Sequence, residues 1–428
     1  MIILDSALEK RAAAGNPVKV GLVGAGFMAR GLALQITQFH PGMQVSAISN
    51  RSVDSARFAY EQAGKEGAVE VQTGEDIDRC IATGTPAITN DPFALCESKE
   101  IEVIIEATGE LEFGANVCLK AFENKKHVVL MNAELDATLG PLLKKYADKA
   151  GVVLSNADGD QPGVIMNLYR YVKTIGFTPV LAGNMKGLQD AYRTPATQAA
   201  FAAEHKQKPH MVTSFADGSK ISMEMAVVAN ATGFKVGKRG MYGPSCKRVE
   251  EASELFDPEE MLDGGMVDYV LGAQPGGGVF VVAHCDDPIQ QPYMRYYKMG
   301  DGPFYVFYTP YHLPHVEGGL TAARAVLFHD AATKPLDKPI AEVITVAKCD
   351  LSAGTEIDEI GGFHTYGVLD NSATVRKENL LPLGLARGCT LKHAVAKDSP
   401  LTYADVELPA GRLIDKLYQE QNDTFFAR

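Results

Sequence analysis

The stretch Val18-Lys-Val-Gly-Leu-Val23, running straight into Gly24-Ala-Gly26-Phe-Met-Ala29-Arg30-Gly31, decides the fold. The apolar run reads as a buried strand, and the residues after the glycines continue as a helix to Phe39. Between them lies Gly-x-Gly-x-x-Ala, the dinucleotide fingerprint when it joins a strand to a helix. Gly24 makes the tight turn, Gly26 lets backbone approach a pyrophosphate, and the small third residue lets helix and strand pack closely. The first turn of that helix, with Phe27 and Met28, then presents unsatisfied N–H groups and a positive dipole end to the phosphates.

Working outward, strands are expected at 43–48, 103–106, 127–131 and 152–154, alternating with helices at 53–65, 113–124 and 137–149. Residues 66–100 carry turn residues and no clear period. Alternation at this spacing implies right-handed crossovers and a parallel sheet. The ends of the strands are where ligands of such sheets bind. After the second strand stands Asn50-Arg51-Ser52, with no carboxylate for a ribose 2′-hydroxyl, and Arg51 suits a 2′-phosphate. NADP is therefore expected over NAD. Ala107-Thr108-Gly109 and Asn132 follow later strands and complete the row of expected cofactor contacts, with His315 as a further candidate.

After Asn156-Ala-Asp158-Gly-Asp160-Gln-Pro-Gly163 the texture changes to mixed helices and strands. Asp158 and Asp160 could hold a divalent cation or move protons, although Asp160 before Gln-Pro also reads as a helix cap. Asn184-Met-Lys186-Gly187 is read as following a strand at 180–183, a natural place for an oxyanion or phosphate clamp. Lys220 and Glu224 share a face if 219–230 is helical. His312-x-x-His315-x-Glu317 is a poor metal cluster, because Pro310 and Pro314 break the helix that would align it. A helix is expected at 321–330. Lys334-Pro-Leu-Asp-Lys-Pro339 reads as a linker, and 340–410 as a small β-rich domain.

The chain has 428 residues, which suggests about three domains. Hydrophobic residues make up 46% and charged residues 22%, so a disordered chain is excluded. The net charge of −12 and the lack of a basic block argue against nucleic acid. Seven cysteines without a Cys-x-x-Cys pair fit a reducing, cytoplasmic setting rather than a disulfide framework or thiolate zinc site. The start, Met1-Ile-Ile-Leu-Asp5, meets a charge too early for a signal sequence, and no apolar run approaches the ~18 residues of a membrane span.

Residues 18–330 resemble the homoserine-dehydrogenase-like superfamily, through the Gly24 loop, the Gly183–Gly187 region and Glu317-Gly-Gly-Leu-Thr321-Ala-Ala-Arg-Ala-Val326. The tail resembles an SAF-type domain in Ala353-Gly354-Thr355 and Lys397–Val406. Taken over nearly its full length, and including Asp158-Gly-Asp160-Gln-Pro-Gly, the chain resembles the type II 1-deoxy-D-xylulose 5-phosphate reductoisomerase-like proteins. The resemblance implies an α/β architecture in three parts. These are a doubly wound Rossmann domain over 1–156 completed by a returning helix at about 318–333, an inserted α+β catalytic and dimerisation domain over 157–317, and an SAF-like domain over 338–428.

For function, the resemblance implies a cytoplasmic NADPH-dependent reductoisomerase of isoprenoid precursor biosynthesis, a small phosphorylated sugar as substrate, a divalent cation (Mg or Mn) and a homodimer. Lys186, Arg193, Lys220 and Asn184 would anchor phosphate or stabilise oxyanions. Asp158, Asp160 and Glu224 would move protons or bind metal. Homoserine dehydrogenases carry Asn-Lys where this chain has Asn132-Ala133, and an Asp and a Lys where it has Lys220 and Glu224. The catalytic lysines of that family therefore do not carry over. A plain NADP-dependent dehydrogenase of another small hydroxy or carbonyl compound and a non-catalytic NADP-binding sensor are the alternatives.

Overall fold

The computed structural model describes residues Ile3–Ala427. Met1 and Ile2, part of the N-terminal stretch weighed above, lie outside the described residues, as does Arg428. The chain divides into two compact units. The first is built from residues up to Gly163 together with Leu313–Lys334, and the second from Val164–His312 and Pro335 onward.

The first unit holds a seven-stranded sheet of β1 (Val18–Val23), β2 (Met43–Ser49), β3 (Val69–Glu70), β4 (Ala87–Thr89), β5 (Val103–Glu106), β6 (His127–Leu130) and β7 (Leu154–Asn156). Its order is β3-β4-β2-β1-β5-β6-β7 and every pairing is parallel. This is the doubly wound Rossmann-like sheet expected from the glycine loop. The chain moves outward from β1 through β2, then returns to add β5 on the other side, so the topological switch lies at β1. Because crossover helices cover such a sheet, its strands are apolar throughout: Val18, Val20 and Leu22 are buried, as are Val103 to Ile105.

Several elements differ from the sequence reading. The unassigned stretch 66–100 contains β3, β4 and the helices Gly74–Thr83 and Pro92–Glu97. Thr73 and Asp76 form a capping box at the first helix, and Asp91 caps the second ahead of a proline at the start. The helix expected at 137 begins at Ala133, because the Asn132 side chain accepts from the Leu135 N–H at 3.1 Å. The returning helix spans Pro314–Phe328, starting before both the 321 read from the pattern and the 318 implied by the resemblance. Pro314 does not break it. Proline lacks only an N–H that the first helical turn leaves unpaired, so it starts the helix and carries His315 and Glu317 into it.

The second unit holds a mixed sheet of β8 (Thr178–Lys186), β9 (Lys235–Val236), β10 (Met266–Leu271), β11 (Val279–His284) and β12 (Phe304–Thr309), in the order β12-β11-β8-β10-β9. β8 runs through Lys186, so Asn184 and Lys186 are strand residues rather than the turn after a strand. The C-terminal part adds the antiparallel pair β13 (Ala341–Ala347) and β14 (Thr365–Asn371), and the short pair β15 (Thr390–Leu391) and β16 (Val406–Glu407). All seven cysteines are free thiols. Among the described residues no helix is long and apolar enough to cross a membrane.

One buried carboxyl of the first unit sets a pH dependence. Asp136 is 2% exposed, receives the Asn156 amide at 3.2 Å through one oxygen, and has no partner for the other. Burial pushes it up to about 7. A folded pKa above the unfolded value means that its contribution to stability is complete below the unfolded pKa and is lost as pH rises through the folded one. Asp136→Asn, which removes the charge but keeps the shape, is expected to melt higher than the parent at about pH 8, with the gap narrowing toward about pH 5. Melting curves at the two pH values check this, and a gap independent of pH contradicts it.

Candidate functional site

The turn after β1 has the geometry that a pyrophosphate requires. Gly24 has φ +112°, and a Cβ there would lie 3.0 Å from the Ala107 carbonyl oxygen at the end of β5. Only glycine meets both demands. The helix Phe27–Phe39 starts at Gly26 with no side-chain cap, which leaves its first N–H groups for a ligand. A Cβ at Gly26 would meet nothing within 4 Å, so the approach to those groups is open. Phe27 stands 47% exposed beside them.

The three residues after β2 separate by role. Asn50 Oδ1 accepts from the Ala25 N–H at 3.2 Å, and its Nδ2 donates to the Ser52 carbonyl at 2.9 Å. Asn50 thus ties the glycine turn to the neighbouring strand end. The Ser52 hydroxyl caps the helix Val53–Gln62 by accepting from Ser55 N–H. Arg51 is exposed and has no hydrogen bond or ion pair among the described residues. Its guanidinium is the group at this strand end available to an anion. Arg30, not singled out from the sequence, lies with its guanidinium 5.8 Å above the Phe58 ring and donates to the Ala25 carbonyl.

At the end of β5, Glu106 is fully buried and accepts from the Thr108 N–H, the Thr108 hydroxyl and Asn132 Nδ2. Burial raises its pKa against those bonds. Thr108 and Asn132 are therefore committed to Glu106, and Asn132 also to its helix cap. Gly109 adopts φ +74° in the turn that follows. His315, from the returning helix, packs edge-on to Phe27 with ring centroids 6.5 Å apart. Its ring lies over Gly31, where a Cβ would come within 2.8 Å of it. The returning helix thus places an imidazole beside the first turn of the uncapped helix, and its Nδ1 has no partner.

Asp158 is 3% exposed and pairs with Arg324 at 3.1 Å. Its backbone N–H donates to the Thr321 hydroxyl at 2.6 Å, and Arg324 reaches on to Asp330 at 2.7 Å. Asp160 is buried directly before the helix Gln161–Thr174. Neither Thr321 nor Arg324 stands out in the sequence. Their spacing of three on one helix is the single local signal, and it does not name the partner.

In the second unit, Asn184 and Lys186 lie two apart on β8 and so share a face. The helix Ser219–Thr232 packs against β8, and Glu224, 4% exposed, accepts from Asn184 Nδ2 at 3.1 Å. Lys220 sits one turn before Glu224, half-buried like Lys186. A carboxylate, an amide and two ammonium groups are thereby carried by one strand and one helix. Arg193 pairs with Asp190 at 3.0 Å in the following loop. Among the described residues no three His, Cys, Asp or Glu side chains group as a metal site. Of the candidate carboxylates, Asp158 faces a guanidinium and Glu224 an amide.

Residues 159–318 match the family model described as oxidoreductase DRL, catalytic domain. The homoserine dehydrogenase of Neisseria gonorrhoeae is 28% identical over 127 residues, 29% of this chain and 25% of that protein. The homoserine dehydrogenase of Methylobacillus glycogenes is 30% identical over 124 residues, 29% of this chain and 27% of that protein. The chain thus spans about a quarter of the length of these curated relatives. Among solved structures, a myo-inositol dehydrogenase from Lactobacillus casei in complex with NAD(H) and myo-inositol is 14% identical with a TM-score of 0.37, covering 68% of this chain and 74% of that one. The 1-deoxy-D-xylulose 5-phosphate reductoisomerase from Zymomonas mobilis in complex with NADPH is 18% identical with a TM-score of 0.35, covering 49% and 57%. Residues 159–318 are similar to an oxidoreductase catalytic domain, and they continue a chain whose first unit is a Rossmann-like nucleotide-binding fold.

Proposed function

We propose that this chain is a nicotinamide-dependent oxidoreductase that uses NADPH to convert 1-deoxy-D-xylulose 5-phosphate to 2-C-methyl-D-erythritol 4-phosphate. The observation that carries the nicotinamide reading is the uncapped helix behind a glycine turn that admits no side chain, with an unpaired arginine at the neighbouring strand end. The finer reading rests on the full-length resemblance and on the similarity of residues 159–318 to an oxidoreductase catalytic domain.

The residues present fit the cofactor. The N–H groups after Gly26 and the turn at Gly24 would hold the pyrophosphate, and Arg51 the 2′-phosphate. Bound NADPH supplies a hydride to a carbonyl carbon. The second unit supplies the polar groups that such chemistry needs. Lys186 and Lys220 would stabilise the oxygen charge that develops as the carbon skeleton rearranges and as the aldehyde is reduced. Glu224, oriented by Asn184, would take up and return the hydroxyl proton. Glu106 holds its neighbours by hydrogen bonds and takes no part in proton transfer. Among the described residues no three carboxylate, imidazole or thiol groups cluster, and no step is routed through a cation.

A second reading, reduction or oxidation of another small hydroxy or carbonyl compound, is favoured by the similarity to homoserine dehydrogenases over 127 residues. Within it, homoserine itself is disfavoured by Ala133 and by the Lys220/Glu224 pair. NADPH oxidation with 1-deoxy-D-xylulose 5-phosphate, with the product identified by mass and NMR, separates the readings. Branched methylerythritol phosphate supports the first, and NADPH binding without oxidation moves the search to other carbonyl compounds.

Two substitutions test the residue roles. Arg51→Ala is expected to weaken NADPH binding by about ten-fold and leave NADH nearly unchanged, since the lost contact is a charge-assisted bond to the 2′-phosphate. Equal loss for both nucleotides would remove Arg51 from that role. Lys220→Ala is expected to lower kcat by about 10²-fold with NADPH affinity retained, the size of losing one oxyanion donor. Near-normal turnover would remove Lys220.

A further inference from the structure

The C-terminal residues of the second unit grip the start of the helix that carries Lys220 and Glu224. Lys348, just beyond β13, is 4% exposed. Its ammonium donates to Asp217 at 2.9 Å, to the Arg193 carbonyl at 2.8 Å and to the Gly362 carbonyl at 2.8 Å. All three of its protons are used. Asp217, 1% exposed, in turn accepts from the Ser219 N–H at 2.9 Å, the first residue of the helix. Gly218, which precedes the helix, offers no side-chain cap, so Asp217 meets a donor that would otherwise be orphaned.

A second grip lies one turn on. The Gly367 N–H in β14 donates to the Ser219 hydroxyl at 2.8 Å, and the Gly367 carbonyl accepts from the Ser222 hydroxyl at 3.2 Å. Ser222 is two residues from Lys220, so at ~100° per residue it lies on the far side of the helix from Lys220 and Glu224. Packing fills the seam at Gly367 but not throughout. A cavity of about 380 Å³ borders it, lined among others by Asp217, Ser222, Arg239, Tyr366, Gly367 and Asp398. Directional polar bonds thus act beside the packing of the helix on β13 and β14 in setting the position of the helix start.

We propose that residues 341–371 act as a clamp that fixes the position of the helix Ser219–Thr232, with Lys348 and Gly367 as positioning residues for the Lys220/Glu224 face. The clamp rests on the reading of that face as the reacting one. It gives the β-rich tail a task in the chemistry without any contact to substrate. A displacement of a catalytic group by about 1 Å can cost ~10²-fold in rate, so a lost clamp acts on turnover rather than on cofactor binding.

The test compares the full-length protein with Lys348→Met and Gly367→Ala. A Cβ at residue 367 would meet Leu383 Cδ2 at 2.6 Å and Val343 Cγ1 at 2.9 Å as well as the Ser219 Cα at 3.2 Å, so this change crowds the seam from the tail side without removing a charge. Hydrogen exchange of peptides covering 219–232 needs no substrate. The clamp requires exchange at the first two turns to rise by about ten-fold or more in both variants while β8 and β10 keep theirs. In turnover assays kcat should fall by about ten-fold or more, with the KM for NADPH within about two-fold.

Unchanged exchange at 219–232 overturns the clamp, and so does an equal rise across the whole unit, which marks general loosening. If Lys348→Met fails to fold, Gly367→Ala and Ser222→Ala carry the test. If no substrate is turned over, the functional reading has failed while exchange still decides the clamp.

Discussion

The ion pair between Asp158 and Arg324 ties the returning helix of the first unit to the loop after β7. That unit's sheet is completed by a helix that returns after the chain has built residues 164–312 elsewhere. Bringing ends so far apart in sequence back together costs loop-closure entropy, which grows only with the logarithm of length. What must be specific is the docking. Thr321 takes the Asp158 N–H, and Arg324 takes its carboxylate and that of Asp330, so one face of the helix satisfies the loop after β7. With Asp158 at 4% side-chain exposure, taking the Arg324 guanidinium from it would cost about 3–5 kcal/mol, whereas Arg324 keeps Asp330 if Asp158 is removed. The same docking carries His315 to its place over Gly31, so the neighbourhood of the glycine turn is built from both stretches of the unit.

The parts legible in the sequence were those with local signals. Strand, glycine turn and helix follow one another within 22 residues from Val18 to Phe39, and each is dictated by neighbours along the chain. The parallel sheet follows from repetition of that unit. The stretch 66–100 failed to declare itself because its strands have two and three residues, too short for any period to show. The start of the returning helix was misplaced because proline was read as a breaker when its position made it a beginning.

Side-chain roles were legible only as far as residue type. Arg51 stood out at a strand end by its charge, but the tasks of Asn50 and Ser52 come from what else each can reach. Asn50 finds Ala25, Ser52 finds its own helix, and Arg51 finds no partner. Asp158 and Asp160 look alike in a glycine-rich turn, and the difference between them is a guanidinium 166 residues away. Lys348 reads as an ordinary lysine after a strand, yet its partner Asp217 lies 131 residues earlier. No spacing rule spans such distances.

The charge balance draws these points together. A chain with net charge −12 repels anions at long range, so binding a phosphorylated ligand needs cations kept clear of the protein's own carboxylates. Many basic side chains are not kept clear. Arg11, Arg239, Arg324, Lys348 and Arg376 are each held by internal carboxylates, and their charge is cancelled where it stands. Arg51 and Lys186 have no hydrogen bond or ion pair among the described residues. The exposed arginine follows β2 of the parallel sheet, where ligands of such sheets bind, and the half-buried lysine ends β8 of the mixed sheet. An exposed cation is solvated and needs no ion pair, so both side chains keep their charge available. Under the proposed function these are the two positions where a 2′-phosphate and a phosphorylated reactant would each meet a cation.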